Sequence, residues 1–160
     1  MKKQREFNEA TERYKSIKKE DYENAQSYGE VLSEALFSQI ESGVVLLISA
    51  YSFLESELYR YALEYVHPDY WDDHFDSLRT LSKWLVIPKQ CEGKEIDETC
   101  REINQLRELI GARNAIIHHK VSKITSKKKI ENLNAERKRF ERACATAQRT
   151  VEELLELIKK

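Results

Sequence analysis

Three residues in the last third of the chain have the types and spacing to handle a phosphate: Arg113, Asn114 and His118. Arginine offers a planar fork of donors that matches anionic oxygens. Histidine titrates near neutral pH and can take or give a proton. On a helix, Asn114 and His118 fall one turn apart on the same face, with Arg113 on the adjoining one. His119 and Lys120 follow directly.

Arg113 also interrupts a pattern. Ile103, Leu106 and Ile110 form an apolar stripe that should continue at position 113 and then Ile117. A charge buried there without a partner costs several kcal/mol. Arg113 must therefore be paired inside the fold, reach out at a rim, or line a polar cleft. Spacing alone is weak, because eleven Arg and four His in this chain give roughly 0.8 such pairs by chance. Arg60 and His67 make a rival pair, read as exposed side chains just ahead of Pro68.

The elements that must hold these residues read as helices. Residues 2–24 carry one narrow stripe (Phe7, Ala10, Tyr14, Ile17), which predicts a charged helix. Residues 30–66 carry a wide one, apolar nearly all round between Val44 and Phe53, which predicts the centre of a bundle. It should end at His67-Pro68, since a residue before proline leaves the α region. A third helix is expected over 73–85, stopped by Ile87-Pro88, and a fourth over 97–117. The fifth, over 126–159, keeps a heptad seam of Ile130, Leu133, Arg137, Phe140, Cys144, Ala147, Val151, Leu154 and Ile158. Such a seam is bundle core or a contact with a second chain, with core the preferred reading.

Composition agrees. Four Gly and two Pro in 160 residues argue against a turn-rich β fold, and 41% hydrophobic residues argue against disorder. The expectation is an all-α antiparallel bundle of about five helices forming a single domain over residues 1–160. Three cysteines (Cys91, Cys100, Cys144) without a CxxC pair read as reduced thiols, with Cys144 in the core. The charged N-terminus lacks an apolar region, so it does not read as a signal peptide. The most apolar run, Val44–Ala50, is shorter than the roughly 20 residues a bilayer needs. A cytoplasmic protein is expected. The residues His67, Asp69, Asp72, Asp73 and His74 lack the spacing of a zinc site.

Net charge of −1 hides an uneven distribution. Between Arg113 and Arg142 stand ten Lys or Arg against three Glu, so that stretch is +7 and the rest of the chain −8. Lys120, Lys123, Lys127, Lys128 and Lys129 continue directly from the Arg113 cluster and are candidates for contacts to an RNA backbone.

The wider sequence carries a resemblance. Ile48-Ser-Ala-Tyr-Ser-Phe-Leu-Glu-Ser-Glu-Leu is followed by Leu78-Arg-Thr-Leu-Ser-Lys-Trp-Leu-Val-Ile-Pro, then by Leu106-Arg-Glu-Leu-Ile-Gly-Ala-Arg-Asn-Ala-Ile-Ile-His-His-Lys. Together these resemble the HEPN superfamily of small helical bundles, with Arg113-Asn114-Ala-Ile-Ile-His118 matching the RNxxxH form of its motif. The resemblance covers residues 30–120. It implies metal-independent RNA cleavage across a homodimer, as in toxin and phage-defence members, with no cofactor. His118 would act as base on the ribose 2′-hydroxyl or acid on the leaving 5′-oxygen. Arg113 would stabilise the phosphorane and Asn114 orient His118 or the phosphate. An acidic residue of the central helix often faces the motif, for which Glu55 is the candidate and Glu57 the reserve. His119 and Lys120 would support the site. On an ideal helix Arg113 and His118 point about 140° apart, which a two-fold cleft or a helix ending near Ile117 would reconcile. Some relatives are paired with an antitoxin of nucleotidyltransferase type. Others keep the fold as a non-catalytic RNA- or nucleotide-binding or protein-assembly module, and a purely structural helical adaptor using the C-terminal seam is a third reading.

Overall fold

The computed structural model describes residues 2–117 and 127–159, with side chains described for 2–116 and 135–159. Among these residues there are six α-helices and no strand: α1 (Lys2–Ser16), α2 (Ala25–Ala62), α3 (Pro68–His74), α4 (Thr80–Glu92), α5 (Arg101–Ile117) and α6 (Lys127–Lys159), with one 3₁₀ turn at Lys19–Asp21. The all-α helical bundle expected from composition is therefore the fold.

Local chemistry sets the boundaries, and several differ from expectation. The first helix ends at Ser16, and Lys18 is extended (φ −115°, ψ 141°). The central helix starts earlier than expected because Asn24 caps it, its side-chain oxygen accepting the Ser27 N–H at 2.9 Å. The central helix ends at Ala62, short of the expected stop at His67-Pro68, and turns lead from there to the extended His67. Pro68 opens a helix of its own, where the missing N–H is no loss, and His67 accepts the Asp69 N–H.

The expected third helix is two helices. Arg79 is extended (φ −65°, ψ 145°) and separates α3 from α4. Nor does Pro88 stop α4. Its ring costs a helix interior about 3 kcal/mol, and complete burial of Trp84 and Ile87 beside it offsets that. Gly93 ends α4 instead. It takes the left-handed conformation (φ 70°, ψ 15°), and its N–H and that of Lys94 close onto the carbonyls of Lys89 and Pro88.

The core has two parts. At one end Leu54 and Leu58 of α2 meet Trp71, Phe75, Trp84, Ile87, Ile103, Leu106 and Leu154. At the other Phe7 of α1 meets Leu46, Leu47, Leu109, Ala112, Ala143, Cys144 and Ala147. Val151 of α6 packs against both. From Phe140 to Ile158 the α6 seam faces this chain's own core, while Arg137, also expected in it, is exposed. Helices α2 and α6 approach closely at Gly43, where a Cβ would stand 2.5 Å from Phe140 Cζ and 3.0 Å from Cys144 Sγ.

The central helix is only partly covered. It is long and apolar enough to cross a membrane by length and composition, and 28% of its most apolar window is buried. Its buried positions, from Ala35 to Ala62, serve the bundle core. Phe37, Ile40, Val45 and Ile48 remain on the outside, with Phe37 72% exposed.

Candidate functional site

The helical repeat of α5 explains where Arg113 ends up. Ile103, Leu106, Leu109 and Ala112 are fully buried at steps of three. The core stripe thus passes beside position 113 and leaves it at the rim, half-buried. Of the three alternatives for a charge at that position, the rim is the one realised.

Two contacts hold the side chain there. The Arg113 guanidinium carbon lies 4.6 Å from the centre of the Tyr51 ring, a cation–π contact between α5 and α2. Its Nη1 donates to Asn114 Oδ1 at 3.0 Å. Among the described residues no carboxylate pairs with it. A ring face orients a guanidinium without cancelling its charge, and an amide oxygen occupies one donor of five. Among the described residues no other acceptor takes the remaining donors.

Tyr51 escaped the sequence reading as anything but a stripe residue. Its role depends on α5 lying against α2, and no local spacing reports that. The Tyr51 hydroxyl hydrogen-bonds the hydroxyl of Thr80, the first residue of α4. One side chain thereby ties Arg113 to two further helices.

Glu55, expected to face the motif, is engaged elsewhere. Its Oε2 accepts from Lys83 Nζ at 3.2 Å. Lys83 is 8% exposed, and a buried ammonium requires such a partner. Asp76 approaches the same ammonium to 4.0 Å, and Lys83 lies 5.2 Å from the Trp71 ring. Glu57 pairs with Arg60 at 2.7 Å. Glu55 and Glu57 thus neutralise other cations, and among the described residues neither pairs with Arg113.

His118, His119, Lys120 and Lys123 lie outside the described residues. Lys127, Lys128 and Lys129 open α6, and their side chains are likewise outside the described ones. Further along α6 the basic stretch is partly compensated. Arg137 pairs with Glu141 at 2.9 Å and lies over Tyr14, and Arg142 comes within 3.9 Å of Glu108. Hydrogen bonds that Arg137 donates to Tyr14 and then Glu141 hold it above the usual arginine range.

The other candidates stay structural. Burial pushes the Cys144 thiol up to about 12, and raises Cys91 and Cys100 as well, so none is poised as a thiolate. Among the described residues no three His, Cys, Asp or Glu side chains converge to hold a metal. Compared with known proteins, the chain matches no family model, no curated protein and no solved structure.

Proposed function

We propose that the chain is a HEPN-type, metal-independent endoribonuclease of the toxin or phage-defence kind, acting in the cytoplasm as a homodimer. The observation that carries this reading is Arg113 itself. It is an arginine at the rim of the core, oriented by Tyr51 and Asn114 and, among the described residues, not neutralised by any carboxylate. A purely structural arginine at that depth would be expected to hold an acidic partner.

In this reading the ribose 2′-oxygen attacks the adjacent phosphorus and the bond to the 5′-oxygen breaks. His118 accepts the 2′-proton or supplies one to the leaving oxygen. Arg113 holds the charge that accumulates on the phosphorane oxygens, where a fixed donor needs no reorganisation. Asn114 already contacts Arg113 and keeps its fork in place. The apolar outer face of α2, with Ile48 one turn from Tyr51, gives a second copy a surface beside the site.

Product chemistry tests the proposal. RNA incubated with the protein in EDTA should acquire 2′,3′-cyclic phosphate and 5′-hydroxyl ends, and an oligonucleotide lacking the 2′-hydroxyl should stay intact. RNA bound tightly but never cut, under the same conditions, would assign the fold to the non-catalytic binding class instead.

A further inference from the structure

A cavity of about 470 Å³ is lined by α1, α2 and α6 and shares no residue with Arg113, Asn114 or Tyr51. That volume lies within the range of small-molecule sites. Gln39 of α2 lines it although the residue is only 4% exposed. A glutamine buried so deeply normally finds partners for both ends of its amide. Here one hydrogen bond holds it: Nε2 donates to Thr11 Oγ1 at 3.2 Å. Thr11 lines the cavity too, so the amide end of Gln39 stands at the cavity. Among the described residues, Gln39 Oε1 and the second Nε2 hydrogen have no partner.

The charges in the lining are spent on neighbours. Lys15 pairs with Glu12 at 3.2 Å, and Glu141 accepts from Arg137 Nε at 2.9 Å. An ionic ligand would find no free counter-charge among them. What the lining leaves open is an acceptor and a donor on one planar group, with the rings of Phe7 and Tyr14 in the same lining. The complement of a carboxamide is another carboxamide, which gives an N–H to the oxygen and takes one on its own C=O.

We propose that this cavity binds a small neutral ligand carrying a carboxamide on a flat ring, read by the Gln39 amide and set against Phe7 and Tyr14. The site is independent of the RNA reading. The competing account is a polar cavity that holds water alone, with solvent satisfying the amide.

The test is an NMR titration of the full chain, followed at the Gln39 side-chain amide, whose signal is identified by its loss in Gln39→Leu. The probes are nicotinamide, 3-acetylpyridine, in which a methyl replaces the amide nitrogen, and nicotinate, which is an anion. Nicotinamide should bind saturably and shift the Gln39 signal. The other two cannot donate to Gln39 Oε1 and should bind about tenfold more weakly. Raising salt from about 50 to about 500 mM should leave nicotinamide affinity unchanged, since no charge is screened. Gln39→Leu should bind nicotinamide and 3-acetylpyridine equally. Because residue 39 is interior, Ala145→Leu gives a second check from an exposed position of the lining. It narrows the cavity and should weaken nicotinamide about tenfold while melting like wild type. Equal affinity of wild type for nicotinamide and 3-acetylpyridine, or nicotinamide affinity unchanged in Ala145→Leu, would overturn the proposal. So would the absence of saturable binding by nicotinamide, which leaves the water account. RNA cleavage is untouched by any of these results, so the two readings fail separately.

Discussion

The guanidinium of Arg113 rests on the ring of Tyr51, 4.6 Å from its centre, while the Tyr51 hydroxyl is bonded to Thr80. Face and hydroxyl of one tyrosine thus have different duties, and substitutions separate them. Tyr51→Ala removes the platform, worth about 0.5–2 kcal/mol, and should lower RNA cleavage about tenfold. Tyr51→Phe keeps the ring and loses one hydrogen bond of about 1 kcal/mol. It should cleave like wild type and melt about 3 °C lower. Equal cleavage loss in both variants would show that the ring does not orient Arg113.

Gly43 makes the opposite demand to Gly111, where a Cβ would meet only the free end of the Arg139 side chain. The neighbours of its missing Cβ are the Phe140 ring, packed against the core, and the buried Cys144 sulfur. Gly43→Ala should destabilise the fold by about 1–3 kcal/mol through overpacking. Gly111→Ala should not. Chemical denaturation of the two variants side by side checks this, and equal stabilities would contradict the packing described for α2 against α6.

Stability should also report the clamp that Tyr61 of α2 and Tyr65 of the turn after it place on Glu92, at the end of α4. Hydrogen bonds from Tyr65 and Tyr61 hold the Glu92 carboxyl below its ordinary value of 4.5. That contribution is present above 4.5 and is lost as pH falls through the lower, folded value. The same bond and burial push Tyr65 from 10.0 up to about 12. Stability is therefore full below pH 10.0 and declines as pH rises from there to about 12. Tyr65→Phe should flatten the alkaline limb of the melting-temperature curve and weaken the acid one. Superimposable curves for variant and wild type would remove the clamp from the account.

Helical class, the central helix and the site's position on α5 could be read from periodicity, because a stripe at three- and four-residue steps is a local signal. The errors arose where tertiary burial overrode one. Pro88 reads as a stop, yet the buried Trp84 and Ile87 carry α4 past it to Gly93. Residues 73–85 read as one helix, and nothing in their spacing announces the extended Arg79. Glu55 was assigned to the motif because its helix is right. The competing partner, Lys83, stands 28 residues away and is revealed only by packing. The part of Tyr51 is hidden for the same reason, as it meets Arg113 through a contact between helices. Gly111 left a trace, a glycine inside a good helix, whose meaning needed the neighbouring α6.

In the proposed reaction Arg113 and His118 cut RNA without a metal. Its most direct measurement is the cleavage rate of a mixed RNA pool in EDTA by wild type, Arg113→Ala and His118→Ala, with folding of each variant verified by its melt. Wild type should cleave, and each variant should lose on the order of a hundredfold or more, as removal of a transition-state donor or a general acid–base does. Equal rates in all three proteins, or an intact RNA pool with wild type, would contradict the account.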